Sequence, residues 1–160
     1  MKKDLLWAPW RLTYIKAKKR KGCIFCQAAR GKRDYVIFRS KHAVAMLNIF
    51  PYNNGHVMVL PVRHIRDTGQ LKEEEIIDLF KALNSVKKLL SDVLKPHGFN
   101  IGINLGPSSG AGITGHLHIH IVPRWVGDTN FMPLLANTKV ISQSLDELYK
   151  QLKNAHAKSN

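Results

Sequence analysis

Histidine recurs at every second position in His116-Leu-His118-Ile-His120-Ile-Val-Pro123. Strict alternation with apolar residues marks a half-buried strand, and on a strand rising ~3.3 Å per residue the three imidazoles share one face about 6.6 Å apart. A helix would scatter them. Neighbouring imidazoles at that spacing can serve adjacent but separate tasks. Upstream, Gly106-Pro-Ser-Ser-Gly-Ala-Gly-Ile-Thr-Gly115 holds four glycines and two serines in ten residues, a composition that lets backbone approach a ligand and frees its N–H groups for anions. A phosphate cradle leading into a histidine-bearing strand points to phosphoryl or nucleotidyl chemistry. The second reactive group is Gly22-Cys23-Ile-Phe-Cys26, which contains the only two cysteines. A redox CxxC opens a helix after a strand in a thioredoxin-like pattern, whereas a basic loop precedes this one. Metal binding fits better. Zinc takes four thiolate or imidazole ligands, and a CxxC knuckle supplies two. The other two would come from His42, His56, His64, His97 or the triad. Free thiols packing as small hydrophobes are the alternative.

The elements that must position these groups read as follows. Tyr35–Phe38, His42–Asn48 and His56–Leu60 are predicted strands, the last two separated by a loop punctuated by Pro51, Asn53, Asn54 and Gly55. Lys72 to Lys95 is the clearest helix. Ile76, Phe80, Leu83, Val86, Leu90 and Val93 recur at spacings of three and four, Glu73, Glu74 and Glu75 suit its N-terminus, and Lys95 before Pro96 closes it. Phe99–Leu105 is predicted to pair antiparallel with the triad strand across the glycine-rich loop. Ser144 with Glu147 forms a capping box for a C-terminal helix carrying Leu145, Leu148, Tyr149 and Leu152, and Ala155 to Asn160 are expected to fray. The predicted fold class is α+β: one antiparallel sheet of about five or six strands with one long helix on a face and a C-terminal helix.

His116-Leu-His118-Ile-His120-Ile-Val resembles the HxHxHxx signature of the histidine triad (HIT) family of nucleotide hydrolases and transferases. The longer run AGITGHLHIHIVPRW, with GDTNF after it, is most similar to the bacterial diadenosine tetraphosphate phosphorylase and hydrolase branch. The resemblance extends from about Leu6 to Ile141. It implies a HIT-like fold, a single domain over 1–160 (basic extension 1–21, core 22–141, C-terminal helix and tail 142–160), and a homodimer. It implies that His118, the middle histidine, is the nucleophile, that His56 and His120 assist it, and that a nucleotidyl-histidine intermediate forms. Asn48 and Asn104 would face the nucleotide, while Gly112, Thr114 and Gly115 hold phosphoryl oxygens. Zn2+ would be structural, held by Cys23, Cys26, His64 and His116. Two departures bear on the reaction. The hydrolase branches carry Gln-Thr or Gln-Ser shortly before the triad, where this chain has Ile113-Thr114; many transferases replace the third histidine by glutamine, where this chain keeps His120. The expected activity is therefore cleavage of a dinucleoside polyphosphate, with phosphate or water as acceptor.

Composition sets the limits. One hundred and sixty residues, 44% hydrophobic, suit one domain with a core. No apolar h-region follows Lys2 and Lys3, and no apolar run approaches the ~18 residues of a membrane span, so a soluble cytoplasmic protein is expected. Twenty-five Lys and Arg against eleven Asp and Glu leave +14, which favours polyanionic partners. Much of that charge lies in Lys16, Lys18, Lys19, Arg20 and Lys21, with Arg30, Lys32 and Arg33 close behind. Such a cluster is a solvated arm, a means of steering a polyphosphate, or a contact for RNA. Two other functions stay open: a purine nucleoside phosphoramidase, which the resemblance implies as the reaction of a sister branch, and a nucleotide- or RNA-binding module without turnover, which the charge supports. The intact triad disfavours the second.

Overall fold

The computed structural model describes residues 22–109, 113–128 and 141–159. The basic cluster Lys16–Lys21, Gly112 and the residues after Asp128 as far as Val140 lie outside them. Among the described residues five strands, β1 (Val36–Arg39), β2 (Ala43–Leu47), β3 (Val57–Pro61), β4 (Gly98–Ile103) and β5 (Ile119–Arg124), form one sheet in the order β1-β2-β3-β5-β4. Every pairing is antiparallel. Among the described residues three α-helices accompany it: α1 (Ile24–Ala29), α2 (Glu73–Leu94) and α3 (Leu145–Ser159). No helix among the described residues is long and apolar enough to cross a membrane.

β2 and β3 are buried at every position, because the sheet is covered on both faces. On one face α2 and α3 pack Leu79, Val86, Leu90, Leu148 and Leu152 against Leu47, Val57 and Ile121. On the other, α1 packs Phe25 and Ala28 against Val44, Met46, Met58 and Leu60. The triad strand is therefore not half-buried as the alternation suggests. His116, His118 and His120 are as inaccessible as Leu117 and Ile119 between them. Burying about six apolar side chains under α1 alone is worth several kcal/mol at ~25 cal/mol per Å2.

α2 begins and ends where its signals place it. Glu75 accepts the Lys72 N–H at 2.9 Å, and Lys95 adopts the left-handed conformation (φ +47°) as its C-cap. Its inward stripe differs from the expected one. Leu79, Ala82, Leu83, Val86, Leu89 and Leu90 are buried, while Ile76 and Phe80 are 42% and 57% exposed. The cause is polar. Glu75 takes a two-pronged ion pair from Arg63 at 2.8 and 2.7 Å, and Asp78 accepts the Ser40 hydroxyl at 2.8 Å and the His42 N–H at 2.6 Å. These bonds turn the first two turns so that acidic residues face the core side and Ile76 and Phe80 face outward. At the C-terminus, Ser144 Oγ accepts the Glu147 N–H at 3.2 Å. The helix then runs to Ser159 instead of fraying at Ala155, and His156 stacks on Phe38 at 4.7 Å.

One glycine is fixed by packing next to the histidines. Gly55 has φ +76°, and a Cβ there would lie 2.5 Å from Leu94 Cδ1 and 3.0 Å from Pro123 Cγ. Only glycine fits this turn, which delivers His56 to the start of β3.

Candidate active site and metal-ligand group

β5 is the element from which the site grows. Its His120 is flanked by Met58 on β3 and Gly102 on β4, and His118 and His116 continue the same row beyond the strand's N-terminal end. Hydrogen bonds fix how each imidazole carries its proton. His118 Nδ1 lies 2.8 Å from the His116 carbonyl; a carbonyl only accepts, so Nδ1 bears the hydrogen and Nε2 keeps its lone pair. The Phe25 ring, 4.9 Å from that of His118, and the His120 ring, 4.7 Å away and edge-on, hold the imidazole between them. Burial pushes the His118 pKa down against the opposing pull of the His116 carbonyl. The group is a neutral imidazole with one free nitrogen.

A second chain of bonds ends at His120. His56 Nδ1 accepts the Tyr52 N–H at 3.0 Å and the Asn48 amide at 3.3 Å, so its Nε2 carries the hydrogen and donates to His120 Nδ1 at 2.8 Å. His120 must then be protonated on Nε2. That atom is buried and has no acceptor among the described residues. Burial, with the neighbouring His118 adding, pushes the His120 pKa down to about 4. His120 is thus a neutral donor with an N–H to offer. A buried N–H without an acceptor costs roughly 1–3 kcal/mol, which an incoming oxygen atom would offset.

At the other end of the row lies the second group. Cys23, at the N-cap of α1, and Cys26, in its first turn, converge with His64 and His116, and all four ligand atoms lie within 4.8 Å of one another. Cys23 Sγ is 3.3 Å from His116 Nδ1, Cys26 Sγ is 3.2 Å from His64 Nδ1 and 3.7 Å from His116 Nδ1. Edges of a tetrahedron built on metal–sulfur bonds of ~2.3 Å and metal–nitrogen bonds of ~2.0–2.1 Å measure about as much. The tautomer agrees as well. His116 Nε2 donates to the Pro61 carbonyl at 2.9 Å, which leaves Nδ1 with its lone pair towards the sulfurs, the usual outer bond of a metal-bound histidine. Without a cation, burial and then the Cys23 side chain push the Cys26 thiol up. The group could hold a metal ion. The knuckle does open a short helix, a mark it shares with redox CxxC pairs, but the two histidines complete a ligand set.

A model of the HIT domain matches residues 30–126. The chain belongs to the HIT family. The AP-4-A phosphorylase of Mycobacterium tuberculosis is 35% identical over 158 residues, spanning 92% of this chain and 81% of that one. The asymmetrical bis(5'-nucleosyl)-tetraphosphatase of Schizosaccharomyces pombe is 34% identical over 93 residues, 58% of this chain and 50% of the other. Both are named as enzymes that process dinucleoside polyphosphates. Among solved structures, a hypothetical histidine triad nucleotide-binding protein from Sulfolobus tokodaii superposes with TM-score 0.70 at 26% identity, covering 85% of this chain and 93% of that one. A zinc-bound histidine triad family protein from Mycobacterium smegmatis shares the fold at TM-score 0.70 and 24% identity, covering 86% and 94%.

In this HIT domain the residues singled out from sequence fall into three places. His118, His120, His56 and Asn48 form one connected group; Cys23, Cys26, His64 and His116 form another, joined to the first through the His116 carbonyl. Asn104 is half-buried just past β4, two residues beyond Gly102, without a side-chain hydrogen bond among the described residues. Thr114 and Gly115 are exposed immediately before the histidine row. The other candidate ligands are elsewhere: His42 lies in the β1–β2 turn against Asp78, and His97 Nδ1 accepts the Val126 N–H at 2.9 Å. Two aromatic residues were not foreseen. Tyr52 lays its ring 4.5 Å from His56 and 5.5 Å from His120. Phe25, wholly buried, touches both His116 (5.5 Å) and His118. Its position between the two cysteines is the signal, since a residue between two ligands is fixed whenever they are.

Proposed function

We propose that this HIT protein cleaves dinucleoside polyphosphates of the diadenosine tetraphosphate type through a nucleotidyl group carried on His118. The observation that carries the reading is the proton arrangement along the row: a lone pair on His118 Nε2 beside a buried, unpartnered N–H on His120. In the first step His118 Nε2 forms a bond to the α-phosphorus while the bridging P–O bond breaks, and the electron pair leaves on the nucleoside triphosphate. The His120 N–H donates to an oxygen of the transferring phosphoryl group, and the backbone N–H groups of Thr114 and Gly115 take others. In the second step an oxygen of inorganic phosphate or water bonds to phosphorus, and the P–N bond returns its pair to Nε2. Asn48 and Asn104 hold the nucleoside end.

Two supporting assignments complete the reading. The two sulfurs and two imidazoles suit zinc, whose closed four-ligand set leaves no position for water and makes the ion structural. It would tie α1 and the segment after β3 to His116, and so set the carbonyl that orients His118. The second assignment is a homodimer, supported by exposed apolar surface: among the described residues β4 is an edge strand whose Ile101 and Ile103 are 48% and 40% exposed, and Ile76, Ile77 and Phe80 of α2 are exposed too, more apolar surface than a lone domain usually leaves wet.

The acceptor is decided by products. Incubated with diadenosine tetraphosphate, a phosphorylase yields ADP and ATP only when inorganic phosphate is present. A hydrolase yields AMP and ATP regardless. Release of the dinucleotide unchanged under both conditions would overturn the catalytic reading and leave a binding module. Greater turnover on an adenosine phosphoramidate than on the dinucleotide would instead make it a phosphoramidase.

A further inference from the structure

We infer that Arg66, with Gln70 and Thr114, forms a subsite for phosphate oxyanions beyond the α-phosphate, taking the polyphosphate of the departing nucleotide. This rests on the reading of His118 given above and adds residues that the histidine row does not include. After β3 the chain passes His64, and the Leu117 N–H bonds the Ile65 carbonyl at 2.6 Å. That bond fixes the segment one residue before His118. Arg66 comes next. Arg66, Asp67, Gln70, Gly106 and Thr114 line a cavity of about 490 Å3, and Arg66 and Gln70 also wall a neighbouring one of about 350 Å3 against Ile65 and Gly115. Both open beside the Thr114–Gly115 turn, at the end of the row opposite Asn48, His56 and His120.

The lining is rich in donors. The Arg66 guanidinium has no acceptor among the described residues, whereas Arg63 is held by Glu75 and Arg124 by Asp128. Gln70 Oε1 is already taken by the N–H groups of Arg66 at 3.0 Å and Asp67 at 3.2 Å, so its NH2 is what remains to give. The Thr114 hydroxyl is exposed and also lacks a partner among the described residues. One acidic group, Asp67, faces the same cavity; its Oδ1 accepts the Gly69 N–H at 2.8 Å and caps the Thr68–Gln70 turn. A guanidinium fork with two neutral donors beside it matches phosphate oxygens rather than a base or a sugar. A nucleotide seated at the Asn48 end and attacked at His118 would extend its remaining phosphates over Gly115 and Thr114 towards Arg66.

The subsite and the reaction are tested by separate readouts. Isothermal titration of the full chain with tripolyphosphate and with orthophosphate is done on wild type, Arg66→Gln, Arg66→Lys and Asp67→Asn; asparagine keeps the cap. Arg66→Gln should weaken tripolyphosphate binding about tenfold or more, Arg66→Lys less, and Asp67→Asn should tighten it. In parallel, kcat/KM is measured on diadenosine tetraphosphate and on the 4-nitrophenyl ester of AMP, which has one phosphate. The ratio of the two should fall about tenfold in Arg66→Gln and rise in Asp67→Asn, a pair of opposite signs that loss of folding does not produce. Unchanged tripolyphosphate binding in Arg66→Gln, or equal loss on both substrates, overturns the subsite. Weakening of orthophosphate alone makes it an acceptor site and overturns the leaving-group assignment. If wild type turns over neither substrate, the reading of His118 fails, and the titration still decides the subsite.

Discussion

His118 and His116 are two residues apart and chemically identical, yet their hydrogen bonds give them opposite faces. His118 spends Nδ1 on a carbonyl and presents Nε2, whereas His116 spends Nε2 on a carbonyl and presents Nδ1 to sulfur. Their asparagine variants should therefore fail differently. His118→Asn is expected to abolish turnover with zinc content and melting temperature close to wild type. His116→Asn should lose zinc and melt lower, since it removes one ligand from a structural site whose whole binding is worth ~10–16 kcal/mol in isolated zinc peptides, less in a prefolded domain. Metal analysis and thermal melting beside turnover check both; the reverse pattern would refute the assignment. At this scale much was legible. The alternation at His116–His120 and the CxxC pair named the reactive types without a structure. Tautomers were not, because they depend on which carbonyl or N–H each ring meets, and Pro61 and Tyr52 are distant in sequence from His116 and His120.

The short helix α1 couples the two groups. It carries both cysteines at its start and buries Phe25 against His116 and His118. Phe25→Ala should open a cavity costing roughly 3–5 kcal/mol and free the His118 ring to leave its attacking orientation. The expected kinetic result is a fall in kcat larger than any rise in KM, with Phe25→Leu recovering stability more fully than kcat. Equal recovery of both would make Phe25 a packing residue only. Element boundaries followed from sequence where a local rule governs, as at Gly55, Pro96 and Ser144. They failed where tertiary bonds override periodicity. Arg63 and the β1–β2 turn draw Glu75 and Asp78 inward, which rotates the start of α2 away from the stripe its apolar residues suggest. Likewise α3 keeps its helix to Ser159 because Leu152 and His156 pack against the core side.

For the whole molecule, the antiparallel α+β architecture was readable because strands, turns and one long helix alternate cleanly in the chain. Which surfaces would meet the second copy of the proposed homodimer was not, since that depends on how β4 is left at the edge of the described sheet. Ile101→Glu with Ile103→Glu should shift sedimentation from dimer to monomer while leaving the melting of the single domain within a few degrees. A wild type already monomeric at micromolar concentration would refute the dimer. The proposed reaction is the property that the row, the metal-ligand group and the sheet would jointly serve, and its intermediate is directly testable. Wild type mixed with diadenosine tetraphosphate, quenched in the first turnovers without added phosphate and digested under mildly alkaline conditions, should give a peptide bearing one adenylyl group on His118, absent from His118→Asn. Turnover without any such adduct under burst conditions, or an adduct on a residue other than His118, would contradict the account.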